Sequence, residues 1–184
     1  NIHLDIIDGS LFEDAARADK VMSAPCLILD NDFRWTGAVS AEEIIEMIND
    51  RDPSQLGMET LKNIMEQGDA AWIAGQMAAR DKIFDAFIDL LCHPVWSVRL
   101  GAMVIIEELT ETAPGLAQAL CPILMDIFDS KDVPVQGDLL YALGEAGGPD
   151  TADWIEKKQD ALSHPDLSDA AEEALESIRD RLNG

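Results

Sequence analysis

The side chains best suited to covalent or redox chemistry are three cysteines, Cys26, Cys92 and Cys121. A thiolate is the nucleophile of disulfide exchange, and the usual redox arrangement is a C-x-x-C pair. No two of these cysteines have that spacing, and their odd number argues against a disulfide framework. Cys92 and Cys121 lie in apolar helical stretches and are predicted to be small core residues. Cys26 begins a short apolar run.

The three histidines do not predict a metal site. His93 and His164 each precede a proline at equivalent positions and are predicted to be turn residues, and His3 adds no third ligand by its spacing. Neither G-x-S-x-G, nor H-E-x-x-H, nor a phosphate-binding glycine loop is present. Carboxylate pairs such as Glu107 with Glu108 are predicted to be solvated charges. We therefore predict no catalytic residue, no metal ligand and no cofactor within this sequence.

The chain is strongly acidic, with 36 acidic and 13 basic residues and a net charge of −23. The first 52 residues carry −8 and the remainder −15, so the charge is not confined to a tail. Such a field repels phosphates and disfavours nucleic acid and anionic membranes as partners. Two interpretations of this negative charge stay open: it serves solubility alone, or it forms a surface that selects basic partners. With no bilayer-spanning run and no visible secretory signal, we predict a cytoplasmic protein.

The helices that must position any site recur as similar segments along the second part of the chain. Three segments consist of a polar turn followed by a helix with apolar residues about four apart. Val98, Val135 and Leu167 correspond, with offsets of about 37 and 32 residues, which suits two-helix repeats. Each pair has an apolar stripe that only stacking can bury. The first helices of these pairs are predicted over 83–92, 116–128 and 152–162, and a weaker pair over 55–65 and 70–79.

Two runs within these helices resemble HEAT repeats. The run from His93 to Ala102 contains the V-R-x-x-A core of a HEAT second helix, and Leu139 to Gly147 is similar to its usual ending. The last copy departs from this pattern, since Ser168 replaces the arginine. The resemblance implies a mainly α fold over about 53–184, an α–α superhelix of about four helix pairs. It also implies that the concave face binds a protein partner.

Residues 1–52 are predicted to follow the order strand, helix, hairpin, helix. Alternation over Ile2–Asp8 predicts a strand, and two apolar runs, Cys26–Leu29 and Phe33–Thr36, predict a hairpin with its turn at Asn31–Asp32. Two S-x-x-E capping boxes, beginning at Ser10 and Ser40, predict the starts of the two helices.

The run Val21-Met22-Ser23-Ala24-Pro25 before a strand, followed by a hairpin and T-G-A-V-x-x-E-E from Thr36, resembles thioredoxin-like and glutaredoxin-like domains over about 2–50. The resemblance implies a cis Ala24–Pro25 bond, with Ala24 and Pro25 docking a substrate peptide. It also offers two interpretations of Cys26, an accessory thiol near a redox site or a buried strand cysteine.

The family's first strand and helix, which carry its C-x-x-C motif, have no counterpart in this sequence, which begins at Asn1 rather than Met. In the family that strand lies between those represented here by Leu4–Ile7 and Cys26–Leu29. The fold is thus an incomplete α/β domain, and we expect an upstream segment or another chain to supply the strand.

Two functions follow as predictions. The first is a non-enzymatic module that binds a protein on its HEAT-like surface, attached to a thioredoxin-like domain. The alternative is a thiol–disulfide oxidoreductase with an upstream C-x-x-C, whose repeats select protein substrates. Whether the protein is an enzyme stays open at this point.

Overall fold

A computed structural model of the chain describes residues 3–30, 33–37 and 40–183. The described residues are mainly helical, with ten α-helices and one two-stranded sheet. The chain divides into two compact units, Asn1–Arg51 and Asp52–Gly184. None of the helices in the described ranges combines the length and the apolar character that crossing a membrane requires.

The first unit contains helix α1 (Glu13–Ala18), strands β1 (Cys26–Leu29) and β2 (Phe33–Thr36), and helix α2 (Ala41–Asp50). The strands pair antiparallel, with Cys26 opposite Thr36 and Leu29 opposite Phe33. Both predicted strands of the hairpin are confirmed. Phe33 and Trp35 alternate onto one face of β2 and are buried, with their ring centroids 6.4 Å apart.

The predicted strand at the start of the chain is wrong where the structure describes it. Residues 3–8 form no strand, and Leu4, Ile6 and Ile7 are exposed. Alternation alone does not make a strand, because extended backbone needs a neighbour to pair its N–H and C=O groups. In the described part of the chain, β1 pairs with β2 alone. The predicted turn at Asn31–Asp32 and residue Ile2 lie outside the described residues.

The two predicted capping boxes have different outcomes. Ser40 is the N-cap of α2, and its Oγ accepts a hydrogen bond from the Glu43 N–H at 3.0 Å. Ser10 caps no helix, because Phe12 occupies the N-cap position of α1; the Ser10 N–H and Oγ–H instead both donate to Asp8 Oδ1, at 2.9 and 2.6 Å. This local turn competes with the helix, which begins later, at Glu13.

Replacing Ser40 by alanine is expected to destabilise α2 by about 1 kcal/mol, because the Glu43 N–H loses its acceptor. The measurement is amide hydrogen exchange, in which protection of the α2 amides should fall about fivefold. Ser40→Asp is the matched control and should retain protection, because a carboxylate also accepts this bond. Equal protection in Ser40→Ala and the unmodified chain would contradict the cap.

The second unit begins with a 3₁₀ turn (Pro53–Gln55) and continues as four successive helix pairs. The first helices of the pairs are α3 (Met58–Glu66), α5 (Asp85–Leu91), α7 (Pro114–Ile127) and α9 (Pro149–Gln159). The second helices are α4 (Ala70–Arg80), α6 (Trp96–Thr112), α8 (Val133–Ala146) and α10 (Pro165–Asn183). A helix is present at each predicted segment, with ends that differ from the predicted ones by up to three residues. The predicted start of α9 at Ala152 is wrong, because Pro149 occupies the first helical position, where its missing N–H costs nothing.

The helices of the second unit pack in succession. The two helices of each pair contact one another, and each second helix also contacts the next, α4 with α6, α6 with α8 and α8 with α10. Val98, Val135 and Leu167, which were predicted to correspond, all lie in this core, and so do the residues four positions further along the same helices, Ala102, Leu139 and Ala171. Burial of each large apolar side chain contributes about 1.5–3 kcal/mol relative to exposure, so these stripes hold the pairs together.

Candidate functional site

The three residues predicted by the thioredoxin resemblance lie together at the start of β1. Ala24 and Pro25 are exposed, and their peptide bond is cis. The Pro25 carbonyl accepts from the Gly37 N–H at 2.8 Å, next to the hairpin pairing. Cys26 is half-buried and carries a free thiol. Peptide docking by Ala24 and Pro25, and the accessory role of Cys26, stay predictions, as does the oxidoreductase alternative.

The thiols of the other two cysteines are not activated as nucleophiles. Cys121 is buried in α7, as predicted, whereas Cys92 is half-buried at the end of α5 rather than in the core. Burial raises the pKa of the Cys92 thiol, although nearby Lys131 opposes the shift. Burial also raises the pKa of Cys121. Both thiols are therefore protonated near neutral pH, and the thiolate needed for attack or metal binding is disfavoured.

His93 and His164 lie in the connections before α6 and α10, as predicted. His93 Nδ1 accepts from the Val95 N–H at 3.1 Å, which closes the turn before α6. Among the described residues, His164 Nδ1 is buried without a hydrogen-bond partner, and it lies 3.7 Å from a carboxylate oxygen of Asp166. Across residues 3–30, 33–37 and 40–183, no group of three or more potential ligands is placed to hold a metal ion.

Three large apolar side chains lie exposed along α6. Trp96, Leu100 and Val104 are 61%, 45% and 47% exposed and follow one another at a spacing of four residues. That spacing places them on one face of the helix, and they extend over about 12 Å. We call these three residues the α6 stripe. The core residues Val98, Ala102 and Ile106 have the same spacing but are buried on the other face.

An acidic cluster continues this surface at the next turn of α6. The Tyr141 hydroxyl of α8 donates to Glu107 Oε1 at 2.7 Å. The pKa of Tyr141 is raised by burial, by this hydrogen bond and by the negative charges of Glu107 and Glu145. Glu145 Oε1 in turn accepts from Ser177 Oγ of α10 at 3.2 Å. We call Glu107, Tyr141 and Glu145 the acidic seam; these residues lie on α6 and α8, and Glu145 also links α8 to α10 through Ser177.

The stripe and the seam belong to one surface. Val104 and Tyr141 are separated by 37 residues, the offset between the second and third pairs, and so occupy equivalent positions on contacting helices. Glu107 follows Val104 by three residues, which places it about one turn along the same face. Trp96 and Glu107 therefore lie about 16 Å apart along the helix axis, with Leu100 and Val104 between them.

Sequence reasoning missed this surface, although a signal for it was present. Trp96, Leu100 and Val104 have the period of the core stripe with an offset of two residues, so α6 is apolar on two faces. The contacts of α6 with its neighbours bury only one of them. Glu107 was predicted to be a solvated charge, and it is exposed, but it also accepts the Tyr141 hydrogen bond.

Comparison with known proteins finds no matching family model, no matching curated protein and no matching solved structure. The candidate site therefore rests on the geometry of this chain. The stripe and seam offer apolar contact, negative charge and carboxylate acceptors.

Proposed function

We propose that residues 53–184 form a HEAT-like protein-interaction module, and that the protein partner binds across the α6 stripe and the acidic seam. Exposed apolar side chains in a continuous row are typical of interaction surfaces, whereas single exposed ones are ordinary. The α6 stripe is the observation that carries the proposal, because its three large side chains are exposed although the same helix buries its other face.

Equivalent hydrogen bonds to the connections that precede α6 and α8 support the HEAT-like part of the proposal. Arg99 of α6 donates through Nη1 to the carbonyls of His93 and Pro94, at 2.7 and 3.1 Å, in the connection that precedes the helix. At the equivalent position of α8, Gln136 Nε2 donates to the Phe128 carbonyl at 3.0 Å, also in the preceding connection. A repeated contact at a repeated position is expected of structural repeats.

For the first unit we propose the C-terminal part of a thioredoxin-like domain. The antiparallel β1–β2 hairpin followed by α2 supports this assignment, as does the position of Ala24, Pro25 and Cys26 at the start of β1. We also propose a cytoplasmic location, supported by an odd number of cysteines without a C-x-x-C spacing.

A photo-crosslinking amino acid at position 100, incorporated in the native host, tests the interaction function. We expect a covalent adduct with one protein species, because Leu100 is the centre of the α6 stripe. The matched control is the same amino acid at Ala119, an exposed position on α7, the first helix of its pair. An adduct pattern at position 100 no different from that at position 119 would refute the proposed function.

A further inference from the structure

The proposed binding surface has an apolar end and an acidic end. The apolar end is the α6 stripe, and the acidic end holds Glu107 and Glu145, whose negative charges both act on Tyr141. The hydrogen bond from Tyr141 uses one carboxylate oxygen of Glu107, so the other oxygen can still accept. An incoming positive charge would meet two carboxylates and an aromatic face, which attract ammonium and guanidinium groups.

We propose that the partner contributes a basic amphipathic segment, with apolar side chains on the α6 stripe and a lysine or arginine at the acidic seam. This inference rests on the proposed interaction function and specifies the ligand of the same surface. The occupant follows from charge complementarity, since the seam is negative and lies within the part of the chain that carries −15 beyond residue 52.

The same charges argue against other occupants. A second copy of the chain would bring another net charge of −23 to the surface, and like charges across an interface oppose association. A nucleic acid would place phosphates against the seam carboxylates, which repel them. The apolar stripe also has no complement on a phosphate backbone. A protein segment with both apolar and basic side chains fits both ends.

The distance between the α6 stripe and the acidic seam limits how far apart the apolar and basic residues of the partner segment can be. The seam begins about 4 Å beyond Val104 and about 16 Å beyond Trp96 along α6. The basic residue must therefore follow the first apolar anchor by about eleven positions if the segment is helical. If the segment is extended, about five positions suffice.

The probe is a set of synthetic 16-residue peptides of three compositions, each made once with the helical spacing and once with the extended spacing. The first carries leucines for the stripe and arginines for the seam, the second has every arginine replaced by glutamate, and the third has every leucine replaced by serine. Binding is measured by calorimetry and by the change in the protein's tryptophan emission, to which the exposed Trp96 contributes, since the peptides contain no tryptophan. We expect the first peptide to bind at least tenfold more tightly than either of the others at low salt, and more weakly as salt rises.

A pair of protein variants connects the binding to the seam. The double variant Glu107→Gln with Glu145→Gln removes both charges but keeps an oxygen that can accept from Tyr141. It should weaken binding of the basic peptide at least fivefold. The control combines Asp126→Asn and Asp153→Asn, which remove two exposed charges from α7 and α9. This control removes the same amount of charge as the test variant but leaves the acidic seam intact. It should therefore change the affinity for the basic peptide less than twofold.

The inference is overturned if none of the peptides binds at millimolar concentration, if the glutamate peptide binds as well as the arginine peptide, or if both double variants weaken binding equally. It is also overturned if the partner segment crosslinked at position 100 is neutral or acidic when mapped by mass spectrometry. In that last case the proposed interaction function stands, because an adduct exists. Loss of the adduct itself would refute the function instead.

Discussion

Replacing Arg99 by alanine is expected to lower the free energy of unfolding of the second unit by about 3 kcal/mol. The Arg99 side chain is only 4% exposed, and its Nε donates to Asp138 Oδ2 of α8. Its Nη1 donates to the His93 and Pro94 carbonyls. One side chain thus connects two successive second helices and the turn that precedes α6.

The size of the effect comes from what the substitution leaves behind. Without Arg99, the Asp138 carboxylate, whose side chain is 20% exposed, loses its counter-charge in a poorly solvated position. Two backbone carbonyls also lose their donor, at about 1 kcal/mol each or more where water cannot replace it. Arg99→Lys should recover only part of the loss, since a single ammonium cannot reproduce the fork that meets three acceptors.

Urea unfolding followed by circular dichroism at 222 nm measures the loss, with hydrogen exchange to separate the two units. Arg179→Ala is the matched control, because Arg179 pairs with Glu156 at 2.7 Å on the surface, with both side chains more than half exposed. That pair should contribute less than about 1 kcal/mol. A loss for Arg99→Ala as small as that for Arg179→Ala would show that the buried bridge does not hold the pairs together.

The role of Arg99 shows how far sequence reasoning extends. The helices of the second unit and the buried positions Val98, Val135 and Leu167 were predictable, because helical period and repeat spacing are local properties that packing preserves. Arg99 could be recognised from the sequence as the arginine of the V-R-x-x-A motif. Its partner Asp138 was not, because the two are separated by 39 residues and nothing in one sequence states which acidic side chain a buried arginine meets.

The errors in the first unit have the same origin. Residues 3–8 have the alternation of a strand, yet a strand depends on a neighbour that local pattern cannot supply. Ser10 has the spacing of an N-cap, but Asp8 lies two residues away and takes its hydrogen bonds. The acidic seam was equally hidden, since Glu107, Tyr141 and Glu145 are brought together only when α6 and α8 pack.

Replacing Gly144 by alanine is expected to destabilise the second unit, whereas the same change at Gly137 should stabilise it. Both glycines lie in α8, where alanine is favoured over glycine by about 1 kcal/mol when space allows. A Cβ at Gly144 would lie 2.9 Å from the Ala174 Cα and 3.1 Å from its Cβ on α10. A Cβ at Gly137 would meet nothing closer than a leucine methyl at 4.0 Å.

The clash at Gly144 involves backbone, which cannot move aside as a flexible side chain does. Relief requires α8 and α10 to separate, and Arg181 of α10 opposes this because its Nη2 donates to the Gly144 and Gly147 carbonyls at 2.7 and 2.8 Å. Overpacking of this kind costs about 1–3 kcal/mol.

Thermal or urea unfolding of the two variants should therefore move in opposite directions, with Gly144→Ala losing about 1–2 kcal/mol and Gly137→Ala gaining about 0.5–1 kcal/mol. Gly144→Val should lose more than Gly144→Ala, because its two extra methyl groups meet the same backbone. If both alanine variants were stabilised, helix propensity alone would account for them, and the close approach of α8 to α10 would not constrain the last two pairs.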